Sequence, residues 1–327
     1  MDECILVGNA ETHPLRCICG SADLQDLGPC RRPSLVGLSE CESALSQQVQ
    51  PGRLYRCRRC FLGLRLPRPD ISSLEKLYSG LSSDRWKCAS PLTAAQQLVL
   101  RLVKKKKADD SLRVLDVGAF DGRFLEALPS EFQKSAIEPS CSGHDILQKK
   151  GFQVIGRFLA AAEPGDQQKF DLVTMFDVFE HLSNPLAGMQ DLMSYLKPGG
   201  TLFVGTADLD HWSWYATRGN HWYLDPMQHI AVGSRRHFEW VRSVLPAANL
   251  RIYRLSHRPP VFPATLVQSA QLVYFGVKEH LGAGCIALRL MHRIPFFRRL
   301  AHKEAVPYTQ QVRDHLLAEF TRLESPR

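Results

Sequence analysis

The feature that most constrains this chain is the stretch Arg113–Leu125. A short apolar strand, Val114–Val117, runs straight into a glycine-bearing turn and then a helix. Gly118 and Gly122 let the backbone approach a ligand closely. A second strand ends at Glu138, 20 residues after Gly118. A carboxylate at that strand end can accept both hydroxyls of a ribose. No lysine-bearing phosphate loop is present, which disfavours nucleoside triphosphate chemistry. Further on, Phe170–Phe176 reads as a buried strand and Asp177–Leu182 follows it directly. A helix over Pro185–Leu196, a turn at Lys197–Gly200 and a strand at Thr201–Thr206 complete the alternation. Strand, helix and strand in turn predict a doubly wound α/β sheet with ligands at the carboxyl ends of its strands.

Seven of the ten cysteines precede residue 61. No basic leader followed by a long apolar run is seen, so a secretory signal is not expected. No window reaches 18 uninterrupted apolar residues, so a spanning helix is not expected either. The expected setting is cytoplasmic, where disulfides rarely persist. The pairs Cys17/Cys19 and Cys57/Cys60 then suit a structural tetrahedral zinc held by four thiolates. Cys30 and Cys41 lie between the pairs and are alternative ligands; reduced cysteines in a small cap are the plainer reading.

The formal charge of +8 is unevenly spread. Residues 1–110 carry +5, residues 111–250 carry −4 and residues 251–327 carry +7. Positive ends suit an anionic membrane surface, a phosphorylated carrier or another copy of the chain. The acidic middle disfavours nucleic acid in the active site.

Taken together, the motifs resemble those of class I S-adenosylmethionine-dependent methyltransferases. Asp116-Val117-Gly118-Ala119-Phe120-Asp121-Gly122 is similar to the family's first motif, and Glu138 to its ribose-binding acid. Asp177–Leu182 and Leu196–Gly200 are similar to later motifs. The N-terminal cysteines resemble a bacterial subgroup with a zinc-binding module before the methyltransferase domain, several of whose members act on sugars. The resemblance implies a seven-stranded Rossmann-like sheet. It also implies that Asp116, Gly118 and Gly122 cradle the methionine half of the cofactor, Glu138 the ribose, and Asp177 the methionyl amino group. One departure stands out: Phe120 occupies the place of a middle glycine.

Acid–base candidates are Glu180 and His181 at the mouth of the fourth strand, with His221 and His229 in the stretch 207–229. That stretch also holds Trp212, Trp214 and Trp222, which read as an aromatic lid for a sugar or a flat acceptor; a lid packed as a small core is the alternative. The expected organisation is a cysteine module at 1–70, a linker and helix at 71–110, a methyltransferase domain at 111–257 and a basic helical extension at 258–327. A helix over Ser72–Leu81, another over Pro91–Lys107 and a closing amphipathic helix from Pro307 to Arg327 are also expected. The function so read is methyl transfer to a small or glycan-type acceptor, favouring a sugar hydroxyl. Alternatives are an RNA or quinone-type methyltransferase, or a cofactor-binding scaffold without catalysis. A peripheral position at the inner face of a membrane and homo-oligomerisation are further expectations.

Overall fold

A computed structural model describes residues 15–31, 51–68, 74–75, 78–79, 91–105, 111–160, 162–163, 165–224, 228–245 and 248–323. Cys4, Cys41, Cys88 and most of the helix expected over Ser72–Leu81 lie outside these residues.

Eleven strands among the described residues form two sheets. In the larger sheet, β4 (Arg113–Val117), β5 (Gln133–Ile137) and β6 (Gln153–Gly156) lie to one side, in that order. On the other side of β4 lie β7 (Phe170–Phe176), β8 (Leu196–Ala207), β11 (His315–Arg322) and β10 (Ala248–Leu255). The strands from β4 to β8 pair in parallel, and β11 runs antiparallel between β8 and β10. The chain steps outward from β4 to β6 and then returns to β7, which puts the topological switch between β4 and β7. Ligands of such sheets bind outside the strand ends at that switch.

The central strands are buried on both faces, as parallel strands covered by helices must be. Val114 to Val117 of β4 and Leu172 to Phe176 of β7 are all buried. The flanking helices begin where a side chain satisfies the free N–H groups of the first turn. Ser140 accepts from the Gly143 N–H ahead of Cys141–Lys149, Asn184 from Ala187 N–H ahead of Pro185–Tyr195, and Ser234 from His237 N–H ahead of Arg235–Val244. The helix expected near 91–107 spans Ala94–Lys105.

Two expectations need correcting. Lys197–Gly200 is a bulge inside β8: Leu196 sits opposite Phe170 and Thr201 opposite Leu172. The closing amphipathic helix does not exist over 315–322, which instead forms β11 at the heart of the sheet's outer half. Its Leu316, Leu317, Ala318 and Phe320 are buried. The run Leu316-Leu317-Ala318 fits helix and strand alike by pattern, and the hydrogen-bonding edges that β8 and β10 offer on either side decide it. The helical part of this region is Ala264–Leu281 with two short helices, Ile286–Met291 and Pro295–Arg298. No described helix is long and apolar enough to cross a membrane.

The second sheet pairs β1 (Leu24–Pro29), β2 (Arg53–Cys57), β3 (Gly63–Leu66) and β9 (Ala231–Val232), all antiparallel. It binds the cysteine module to the larger domain. Ser234 Oγ donates to Phe61 O, His237 Nδ1 bonds Cys60 O at 2.8 Å, and Arg56 pairs with Asp210. Cys57, Cys60, Leu62 and Leu64 share one apolar core with Phe179 and Phe238.

Candidate active site

The cofactor side is made by backbone. Gly118, Phe120 and Gly122 all have left-handed backbone conformations, with φ of 75°, 51° and 74°. Only glycine adopts this region without strain, so Phe120 reproduces the path of a glycine at an order of 1–2 kcal/mol. A Cβ at Gly118 would lie 2.3 Å from Val178 Cγ2, so a side chain there has no room. The Gly118 N–H donates to Ile137 O at 2.8 Å, tying the loop to the end of β5.

Glu138 is buried at the end of β5. Its Oε2 accepts the Phe120 N–H at 2.8 Å, and its Oε1 accepts the Ser140 N–H and hydroxyl at 3.0 and 2.8 Å. A carboxylate offers about four acceptor positions. These bonds use three, and a carboxylate so oriented at the strand end suits a ribose hydroxyl. Asp116 is buried with the Thr174 hydroxyl donating to it at 2.6 Å. Burial pushes its carboxyl up to about 7, against the Thr174 hydrogen bond. A buried acid with so little compensation fits a cationic group such as the sulfonium or amino end of S-adenosylmethionine.

The opposite side is made by side chains converging from distant segments. Asp177 follows β7 with a φ of 53°. The Tyr223 hydroxyl contacts both Asp177 Oδ1, at 2.8 Å, and Glu180 Oε1. Glu180 is buried in the short helix Phe179–His181 and accepts from Thr206 Oγ1 at 2.9 Å. Burial raises the Glu180 carboxyl. Desolvation would raise Asp177 too, but His257 and His315, with Tyr223, outweigh it and hold Asp177 below the usual carboxylate range. One phenolic proton cannot serve two carboxylates. The Tyr223 hydroxyl thus bridges two carboxylates with opposed shifts, Asp177 held low and Glu180 raised. His257 Nε2 lies 3.5 Å from Asp177 Oδ2, and His315 bonds Asp314 at 2.7 Å. His315 is buried, yet Asp314 draws it above the ordinary histidine value. His257 Nδ1 and His315 Nε2 have no hydrogen-bond partner among the described residues.

His181 and His229 stand edge to face, 4.8 Å between ring centres, and both are partly exposed. With Glu180, their ligating atoms lie within 4.8 Å of one another. Burial, reinforced by His229, pushes His181 down to about 3, so this ring is neutral at any working pH. Its Nδ1 is engaged by the Tyr78 hydroxyl at 2.8 Å. His229 Nδ1 donates to Tyr223 O at 2.6 Å, which fixes the tautomer and leaves Nε2 as an acceptor. His181 Nδ1 also lies 3.3 Å from Gln228 O, and the Nδ1–H of His229 leaves that ring's Nε2 with the lone pair a general base needs.

His221 does not join this group. It is fully buried, stacked on Trp214 at 3.8 Å and bonded to Ser213 Oγ at 3.0 Å. Trp214 and Trp222 are buried beside it, and Trp222 Nε1 donates to Asp314. The expected aromatic lid is thus mostly a satellite core; of the three tryptophans only Trp212 is exposed. Tyr223, His257 and His315 were not singled out from the sequence. Tyr223 stands in the aromatic stretch with no motif of its own, and His315 stands in the segment misread as a helix.

In the cysteine module, Cys17 Sγ lies 3.4 Å from Cys60 Sγ and Cys19 Sγ lies 3.6 Å from Cys57 Sγ. All four sulfurs fall within 4.8 Å of one another. Tetrahedral zinc with thiolate bonds of about 2.3 Å sets its sulfurs about 3.8 Å apart, so the set fits. Cys30 is buried in the other core beside Leu54 and Trp214, away from the cluster.

Residues 90–251 match the family model described as "Methyltransferase domain". This stretch, a methyltransferase domain, holds the glycine loop, Glu138, Asp177, Glu180, His181, Tyr223 and His229. A ubiquinone biosynthesis O-methyltransferase of Xanthomonas campestris pv. campestris is 36% identical over 126 residues, covering 36% of this chain and 52% of that protein. The mitochondrial ubiquinone biosynthesis O-methyltransferase of Candida albicans is 30% identical over 119 residues, covering 33% of this chain and 36% of that protein. The chain thus spans about half the length, or less, of these curated relatives. A solved SAM-dependent methyltransferase from Thermotoga maritima shares 15% identity at a TM-score of 0.42, covering 73% of this chain and 93% of that one.

Proposed function

We propose that this chain is an S-adenosylmethionine-dependent O-methyltransferase whose acceptor is a small ring hydroxyl of the quinone-precursor type. The observation that carries the reading is the pair of relatives named for ubiquinone O-methylation. The burial of Trp214 and Trp222 removes most of the aromatic surface expected to receive either a sugar or a flat acceptor, so the relatives' names alone favour the quinone-type reading over the sugar one.

When bound, S-adenosylmethionine supplies an electrophilic methyl group. Asp116, Gly118, Gly122 and Glu138 hold it, and Asp177 keeps its negative charge for the amino group through His257 and His315. The Tyr223 hydroxyl clamps Asp177 against Glu180 and so fixes the acceptor side of the crevice. His229 Nε2 would receive the acceptor's hydroxyl proton. The larger share of the rate comes from holding the two reactants in line. The four cysteine thiolates bind one structural zinc. A cytoplasmic location belongs to the same proposal, as do an anionic partner for the basic segment and homo-oligomerisation.

Cofactor titration by calorimetry tests the first step, and no binding at millimolar cofactor removes every catalytic reading. A labelled-methyl screen over catechol and quinol precursors, sugars and RNA tests the acceptor. Transfer to sugars with none to the ring hydroxyls overturns the quinone-type reading.

A further inference from the structure

Most of the large apolar side chains that the described residues leave exposed gather in one segment, from Val261 to Ile294. Helix Ala264–Leu281 turns one face inward, where Leu272 and Phe275 are buried and Gly276 lies against Ala216 of the helix Trp212–Thr217. Its outer face exposes Leu266 and Val273, two turns apart, and Leu281 at its end. The turn before it leaves Phe262 79% exposed, and the start of the next helix leaves Ile286 74% exposed. Water-facing surfaces seldom collect so much apolar area unless something covers it.

The rim of this face is basic. Arg289, Arg293, Arg298 and Arg299 are exposed, and none forms an ion pair among the described residues. Between residues 258 and 303 the sequence holds seven Lys and Arg against one acidic residue, Glu279. This charge discriminates between occupants. A second copy docked about a twofold axis sets the same patch against itself, arginine facing arginine. Anionic headgroups neutralise the arginines while the apolar side chains reach the acyl boundary.

We propose that the outer face of helix Ala264–Leu281, with the turns on either side of it, docks this protein on an anionic bilayer surface. The helix lies in the interface plane. The docked face is coupled to the crevice: exposed Tyr215 stacks on His280 at 5.2 Å, and its own helix leads on to His221 and Tyr223. The docked helix therefore abuts the segment that carries Tyr223, and an apolar ring acceptor would partition into the same bilayer. That last step rests on the quinone-type reading; the docking itself does not.

Co-sedimentation of the full chain with phosphatidylcholine vesicles, with and without phosphatidylglycerol, is the test. Binding should require phosphatidylglycerol and weaken as salt rises. Phe262→Asp with Ile286→Asp should abolish it. Arg293→Ala with Arg298→Ala should lower the partition about 25-fold, about fivefold for each charge. Both variants alter exposed residues and should retain the parent circular dichroism spectrum and cofactor affinity. No phosphatidylglycerol-dependent binding at low salt overturns the proposal. So does a concentration-dependent dimer that the aspartate variants dissolve while vesicles bind nothing, since the face is then a self-interface. A chain that sediments with vesicles yet binds no cofactor refutes the functional reading and leaves the docking face standing.

Discussion

The two walls of the crevice are built by opposite means. The cofactor wall is backbone: three left-handed residues between Gly118 and Gly122, pinned by Glu138, all within about one βαβ unit. The acceptor wall is side chain: Glu180, Tyr223, His229, His257 and His315, with Asp177 at its border with the cofactor, come from segments as much as 138 residues apart. A wall of backbone is set by local sequence and tolerates change outside its glycines and acids. A wall of side chains is set by the whole sheet, and its protonation pattern is collective.

The largest effect lies outside both walls and measures what they stand on. Cys57→Ser with Cys60→Ser should abolish a stoichiometry of about one zinc per chain, read by elemental analysis. Because these cysteines share a core with Phe179, it should also unfold the module and loosen the acceptor wall. A metal-free parent chain with unchanged folding breaks this expectation.

Within the acceptor wall, His229→Ala should lower kcat by about 10²–10⁴-fold while leaving cofactor affinity near that of the parent. Tyr223→Phe should cost less, about tenfold or more in kcat, because it loosens Asp177 and Glu180 without removing the base. Equal losses in both variants would mean that the wall acts as one unit.

The cofactor wall answers differently, through pH. Asp116 binds its proton more tightly in the folded chain than unfolded, since its carboxyl is raised to about 7. Folded-state stability is therefore favoured at low pH. It declines as pH rises from the unfolded carboxylate value near 4 to about 7. Asp116→Asn should stabilise the cofactor-free chain at pH 8 by on the order of 4 kcal/mol, read as a higher melting temperature, with the gain vanishing near pH 4. The same change should weaken cofactor binding, read by calorimetry. A variant that gains stability and keeps its affinity would remove Asp116 from the cofactor wall.

The smallest effect concerns Phe120. Phe120→Gly relieves a left-handed residue and should change stability by about 1 kcal/mol or less, with cofactor affinity nearly unchanged. A large gain in affinity would show that the phenyl group obstructs the loop.

What was legible in the sequence divides along the same line. Gly118, Gly122 and Glu138 announce themselves because turn, strand end and carboxylate are neighbours in the chain. Glu180 and His181 were within reach because they follow the exit of β7, and His229 because it stands in the aromatic stretch 207–229. Tyr223, His257 and His315 were not, since a residue's place opposite Asp177 depends on strand order. That order rests on β11, whose apolar run satisfies helix and strand patterns equally. His221 was misjudged for a related reason: an imidazole between tryptophans looks the same in sequence whether the cluster faces a ligand or packs on itself.

The position of β11 also sets a timetable for synthesis. Until residues 315–322 emerge, β8 and β10 have unpaired edges facing one another, and such edges recruit foreign strands. His315 and Asp314 arrive with the same segment. A nascent chain can thus form its glycine loop early but gains its full acceptor wall only after β11 has emerged. Any message cut short before that point yields a sticky product with half a crevice, so the cell's quality control and the enzyme's competence depend on one late-arriving strand.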